Sequence, residues 1–299
     1  MSKSTEDDNG RALEKIVVDR ILEFKKIKPT QRCLLQQDRD EYRVLRLNPN
    51  LKEKFNKSAN EIADFLEEKF SLNDANFKLD RVDDLDDSVI DIVLTRDDEK
   101  LSFSLKHNND SLKHNRPYSL IQNGLGFKKH SLEDKEHRDR LDKICKDFRI
   151  LHPDKKLFRD LSFDAKENLY YKFVNECLIS LKKYKNNKEA VANWFNFMMG
   201  LESKYIKIKV ATKGKSQGVF YEDFRDVSVF PEKMDLSIYK GKRTKTRAAS
   251  WNIIVDFNNG YKFKNRIHNK SSRISSSGQL SMAFDVKFTD DSIQGKKLI

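Results

Sequence analysis

The stretch Val89-Ile90-Asp91-Ile92-Val93-Leu94 is the most strand-like in the chain, and a single carboxylate interrupts it. β-Branched residues suit a pleated, buried surface, so the run predicts a strand. An isolated carboxylate in such surroundings costs roughly several kcal/mol of desolvation unless something compensates it, and a bound cation is one compensation. Further on, Leu101, Phe103 and Leu105 alternate with Ser102, Ser104 and Lys106, the period of a half-buried strand. The Thr-Arg-Asp-Asp-Glu-Lys between them makes a turn, so an antiparallel hairpin is expected. Ser104 and Lys106 then share a face, and Asp91 and Lys106 come to one edge of the sheet.

Helical spacing of Leu13, Ile16, Val17, Ile21 and Leu22 predicts an amphipathic helix over 11–24, after a disordered start at 1–10. Ile62, Phe65 and Leu66 predict a second over 59–70. Residues 131–200 read as helical, with Trp194, Phe195, Phe197, Met198 and Met199 as core. After Gly200 the texture changes to strands and basic turns, and Asn259-Gly260 suits a hairpin turn. The expected fold is α+β: a mixed sheet flanked by helices over 11–202, and a β-rich basic part over 203–299.

The chain carries 59 Lys and Arg against 47 Asp and Glu, a formal charge of +12, which favours a polyanionic partner. Cys33, Cys145 and Cys177 are too widely spaced for a zinc site or a disulfide framework, so buried thiols are expected. No apolar run approaches the ~18 residues needed to span a bilayer, and the start lacks a signal sequence, so a soluble, cytoplasmic protein with no membrane partner is expected.

Carboxylates that hold a hard divalent cation, with a lysine beside the attacked phosphate, are what a metal-dependent nuclease requires. Asp91, followed after twelve residues by Ser104-Leu105-Lys106, resembles the active site of the PD-(D/E)xK nucleases, with serine in place of the usual second acid. The segments Phe103 to Arg116 and Gly260 to Phe288 resemble the HaeIII-type restriction endonuclease family. The resemblance implies a type II restriction endonuclease that hydrolyses double-stranded DNA with Mg2+. In it Asp91 would bind metal, Lys106 would position the attacking water, and the Leu105 carbonyl would be a further ligand. Ser104 cannot supply a second carboxylate. Glu61 is the leading candidate for that role, with Asp110 the alternative.

Ser-Leu-Lys-His-Asn occurs twice, at 104–108 and 111–115. If the intervening segment is helical, the second copy lies about two turns on, which suits Lys113, His114 and Arg116 to phosphates or bases; His107 and His114 are also possible acid–base groups. Lys262, Lys264, Arg266 and His268 alternate with aromatic or apolar residues, Asn265 excepted, and would line a phosphate backbone. Lys240, Lys242, Arg243, Lys245 and Arg247 form a second basic block. The resemblance adds Arg266, His268, Asn269 and Arg273 as DNA contacts, a short GGCC-like site, a twofold dimer and a companion methyltransferase. A structure-specific nuclease of the same fold and a non-catalytic DNA-binding regulator are the competing readings.

Overall fold

The computed structural model describes residues 6–74, 76–82, 89–109, 111–112, 114–201, 204–214, 217–271, 273–274, 280–289 and 296–297. In chain order the elements are α1 (Glu6–Ile21), β1 (Ile27–Pro29), α2 (Gln31–Leu45), α3 (Pro49–Phe70), β2 (Phe77–Arg81), β3 (Ile92–Arg96), β4 (Glu99–His107) and β5 (His114–Asn115). Then come α4 (Leu132–Leu151), α5 (Phe163–Lys183), α6 (Lys188–Met199), β6 (Ile206–Ala211), β7 (Gly218–Asp223) and β8 (Met234–Lys240). The series ends with β9 (Trp251–Phe257), β10 (Lys262–Asn269), β11 (Met282–Phe288) and β12 (Lys296–Lys297). The fold is α+β.

Two compact units form, and they are interleaved along the chain: 1–110 with 203–227 and 293–299, and 111–202 with 228–292. One crossing falls at 202/203, where a boundary was expected. The chain after it first completes the sheet begun by β1 to β4 and only later enters the second unit, so a simple N-terminal and C-terminal division does not describe the units.

The first unit holds a seven-stranded sheet in the order β1-β2-β3-β4-β6-β7-β12. β2, β3 and β4 form an antiparallel meander, and β4 pairs in parallel with β6. A parallel neighbour demands a long crossover, here supplied by the chain of the second unit. The expected hairpin is present, with Ile92 opposite Phe103 and the turn at Asp97-Asp98. α1 starts at Glu6, within the stretch expected to be disordered, because Ala12, Leu13, Ile16, Val17, Val18 and Ile21 anchor it in the core. It packs on α2, α3 and β4. Asn48 caps α3 through Leu51 N–H, with Pro49 in the first turn, so this helix begins ten residues before the expected start.

The second unit holds an antiparallel five-stranded sheet, β5-β11-β10-β9-β8, with α5 packed on β8, β9 and β10. Phe195 of α6 meets Phe257, Tyr261 and Phe263 edge to face, which places the expected aromatic cluster in the core. Gly260 at φ 89° makes the β9–β10 turn. The second Ser-Leu-Lys-His-Asn copy is not helical: Leu112 N–H donates to Val286 O, and His114–Asn115 pair with β11. Cys33, Cys145 and Cys177 are buried free thiols. Among the described residues no helix is long and apolar enough to cross a membrane.

Candidate active site

Asp91 lies immediately before β3, where its N–H donates to Phe103 O (2.8 Å) and its carbonyl accepts from Val82 N–H (3.1 Å). The backbone is thereby fixed between the end of β2 and the middle of β4. Its carboxylate Oδ2 accepts from Leu105 N–H (2.6 Å), Ser104 Oγ (3.2 Å) and Lys106 Nζ (3.4 Å). The Asp91 and Lys106 side chains remain 19% and 22% exposed. Among the described residues none of these hydrogen bonds uses Oδ1. In a strand, the N–H and C=O of one residue point to the same side. The Leu105 carbonyl is therefore directed to the Asp91 side, beyond the start of β3 at Ile92.

Ser104 supports the aspartate instead of replacing the missing acid. A buried carboxylate of α1 lies within the electrostatic field of Asp91. Glu14 is buried, its Oε2 accepting from Arg11 Nη1 (2.7 Å) and Arg81 Nη2 (2.9 Å). Burial pushes its carboxyl above the usual range, and the negative charge of Asp91 pushes it further, against Arg11 and Arg81. Arg81, fully buried at the end of β2, also donates to Gln37 Oε1 (2.7 Å) and Asp40 Oδ2 (2.8 Å) of α2. The negative charge of Asp91 adds to the cost of ionising Glu14, a cost that a divalent cation held there would relieve. Asp91, Glu14 and the Leu105 carbonyl are hard oxygen donors of the kind that would hold Mg2+. No group of three or more His, Cys, Asp or Glu suited to a metal occurs among the described residues.

Glu61, the acid expected here, is half-buried on α3. It shares a helix face with Phe65, whose ring packs on Tyr221 of β7 at 4.6 Å. Among the described residues no hydrogen bond or ion pair joins it to Asp91. Asp110 lies outside the described residues. His107 stacks edge-on against Phe55 (4.8 Å), and its Nε2 lies 2.9 Å from Thr212 Oγ1 and 2.8 Å from Asn108 Nδ2.

Lys207 and Tyr205 went unread in the sequence. Lys207 is the β6 neighbour of Ser104, buried, and paired with Glu222 at 2.8 Å. Tyr205 is buried too, its phenol raised first by desolvation and then by the charges of Glu222 and Asp91. Glu14 did leave a signal: with Val17, Val18 and Ile21 it occupies positions i, i+3, i+4 and i+7 of the apolar stripe of α1.

The expected DNA-contacting residues described by the structure lie in the second unit. On β10, Phe263, Asn265 and Ile267 are buried, while Lys262, Lys264, Arg266 and His268 take the opposite face. Lys262 pairs with Asp256 (2.9 Å), Lys264 lies over the Tyr239 ring (4.9 Å), and Arg266 pairs with Asp285 (2.5 Å). Asn269 turns its amide onto Ser271 O (2.5 Å), and Arg273 is exposed. Lys242 and Arg116 are exposed as well. Arg243 is differently employed. It pairs with Asp164 and with Glu167 Oε1 (2.6 Å), which also accepts from Ala249 N–H (2.7 Å), while Lys240 reaches Glu167 Oε2 (3.2 Å). Arg243, then these other donors, hold the Glu167 carboxyl down to about 2. The basic loop is therefore pinned to α5 through Arg243, while Lys242, Lys245 and Arg247 are exposed. The Lys113 position and the His114 side chain lie outside the described residues. Comparison of the chain with protein-family models, curated proteins and solved structures returned no match.

Proposed function

We propose that the chain is a magnesium-dependent endonuclease acting on double-stranded DNA, with Asp91, Lys106 and Glu14 at its centre. The observation that carries this reading is the Asp91 carboxylate. It is held through Oδ2 by Leu105 N–H, Ser104 and Lys106, while the acidic Glu14 lies within its electrostatic reach. Magnesium held there by Asp91, Glu14 and the Leu105 carbonyl would make a bound water acidic and neutralise phosphate charge.

Lys106 places a positive group beside Asp91, where it orients the attacking water and stabilises the charge that develops on the phosphate. Ser104 and Leu105 N–H fix the Asp91 rotamer. Lys207, beside Ser104 in the sheet, is neutralised by Glu222 on the same face. Water adds to phosphorus as the bond to O3′ breaks, leaving a 5′-phosphate and a 3′-hydroxyl, the polarity that the family resemblance implies. Exposed Lys242 and Arg116, with Lys262 and Lys264 of β10, are the proposed backbone contacts. Incubating DNA with the protein and magnesium, then sequencing the cut ends, tests the reading. A common sequence at the ends is expected of a restriction enzyme. Ends of no fixed sequence point to a structure-specific nuclease, and intact DNA contradicts both.

A further inference from the structure

One ion pair on the outer face of β10 differs from its neighbours. Arg266 and Asp285 are direct partners in the β10–β11 register. Asp285 is 7% exposed and Arg266 49%, so the carboxylate is the floor and the guanidinium the open tip. His268 Nδ1 approaches the same carboxylate oxygen at 3.5 Å. By contrast, Lys262 and Asp256 are both about half exposed, at 45% and 49%.

Three physical consequences follow from the Arg266–Asp285 arrangement. The pair is close to neutral, so it gives little of the counterion release on which phosphate binding runs. Only Nη2 of Arg266 has a described hydrogen bond, to Asp285, so the rest of the planar fork still has hydrogens to give. The carboxylate also fixes the plane of that fork, reducing the rotamer freedom lost on binding. An oriented, charge-compensated fork suits paired acceptors on a base edge better than a phosphate, and guanine O6 and N7 are the pair that arginine fits.

We propose that Arg266, oriented by Asp285, reads guanine in the major groove of duplex DNA and sets sequence preference separately from phosphate attraction. This rests on DNA being the ligand, as proposed above. The test uses full-length Asp91→Ala protein in EDTA and a randomised duplex library, so that binding is read without cleavage. The enriched duplexes should share a guanine whose replacement by 7-deazaguanine weakens binding roughly 10- to 100-fold. Arg266→Ala and Arg266→Lys should lose that preference, and Arg266→Lys should keep its affinity for unrelated duplexes. Asp285→Asn should weaken the guanine preference while raising affinity for unrelated duplexes, because it frees a cation.

An unchanged set of enriched duplexes in both Arg266 variants overturns the proposal. So does an equal loss of affinity for every duplex in Arg266→Ala, with the salt slope reduced by about 0.9, the mark of a phosphate contact. Absence of duplex binding overturns it too. Plasmid cleavage by the unaltered protein separates the two readings: cleavage without guanine preference sinks this inference alone, and guanine preference without cleavage sinks the nuclease reading alone.

Discussion

The Asp91 centre and the β10 face both oppose cations to carboxylates, yet burial gives the pairings different meanings. Around Asp91, Glu14 and Arg81 the groups are buried or half-buried, and each is held by several others. Charge there acts at short range and little screened, which is where a metal and a polarised water are useful. On β10 the Lys262, Lys264 and Arg266 side chains reach solvent, so their charges are screened by salt and lie open to a ligand. The first arrangement suits chemistry and the second suits recognition.

The contrast is broken most directly by separating the two activities. Lys106→Ala should slow DNA cleavage by a factor on the order of 10²–10³, measured under single-turnover conditions, while duplex affinity in EDTA stays near that of the unaltered protein. Equal losses of both would erase the distinction between the regions. Arg81→Met leaves Glu14 and Asp40 buried without their shared cation, and should cost about 3–5 kcal/mol in denaturant unfolding. An unfolding curve unaltered by that change would mean that the buried network is not under electrostatic load.

The second unit supplies smaller effects that sharpen the comparison. His137 is fully buried between Ser180 Oγ and Pro117 O, and desolvation takes its imidazole from an ordinary 6.5 down to about 4. The unfolded chain therefore binds a proton that the folded one refuses across that interval. Stability from this group is complete above pH 6.5 and falls by about 3 kcal/mol as pH drops to 4. His137→Asn should flatten that part of the stability profile. Glu167→Gln weakens the charge-assisted bonds that pin the basic loop, at about 1–2 kcal/mol, and should open residues 240–247 to limited proteolysis. A loop equally resistant in that variant would mean that Arg243 is spare for DNA.

Legibility in the sequence followed the apolar pattern. The β3–β4 hairpin was readable because its residues alternate or run apolar, and it delivered Asp91 and Lys106 together. α2 was not, because the side chains it buries are Cys33, Gln36, Gln37, Asp40 and Val44, a helical period written mostly in polar residues. Those polar groups are buried because Arg81 and its partners satisfy them, a long-range condition that no local window displays. Likewise, Arg243 reads as one more cation in a basic block until Glu167 and Asp164 are seen beside it. The charge of Asp91 acts on Glu14 of α1, 77 positions earlier by residue number, a long-range proximity that no local window displays.

The central claim is that Asp91 serves chemistry and not DNA affinity. Supercoiled plasmid incubated with magnesium, in parallel with the unaltered protein and Asp91→Ala, tests it most directly when both are also titrated with duplex DNA in EDTA. The account predicts equal binding, cleavage by the unaltered protein that EDTA abolishes, and intact plasmid with Asp91→Ala. Cleavage that persists in Asp91→Ala, or no magnesium-dependent product from the unaltered protein, would contradict it.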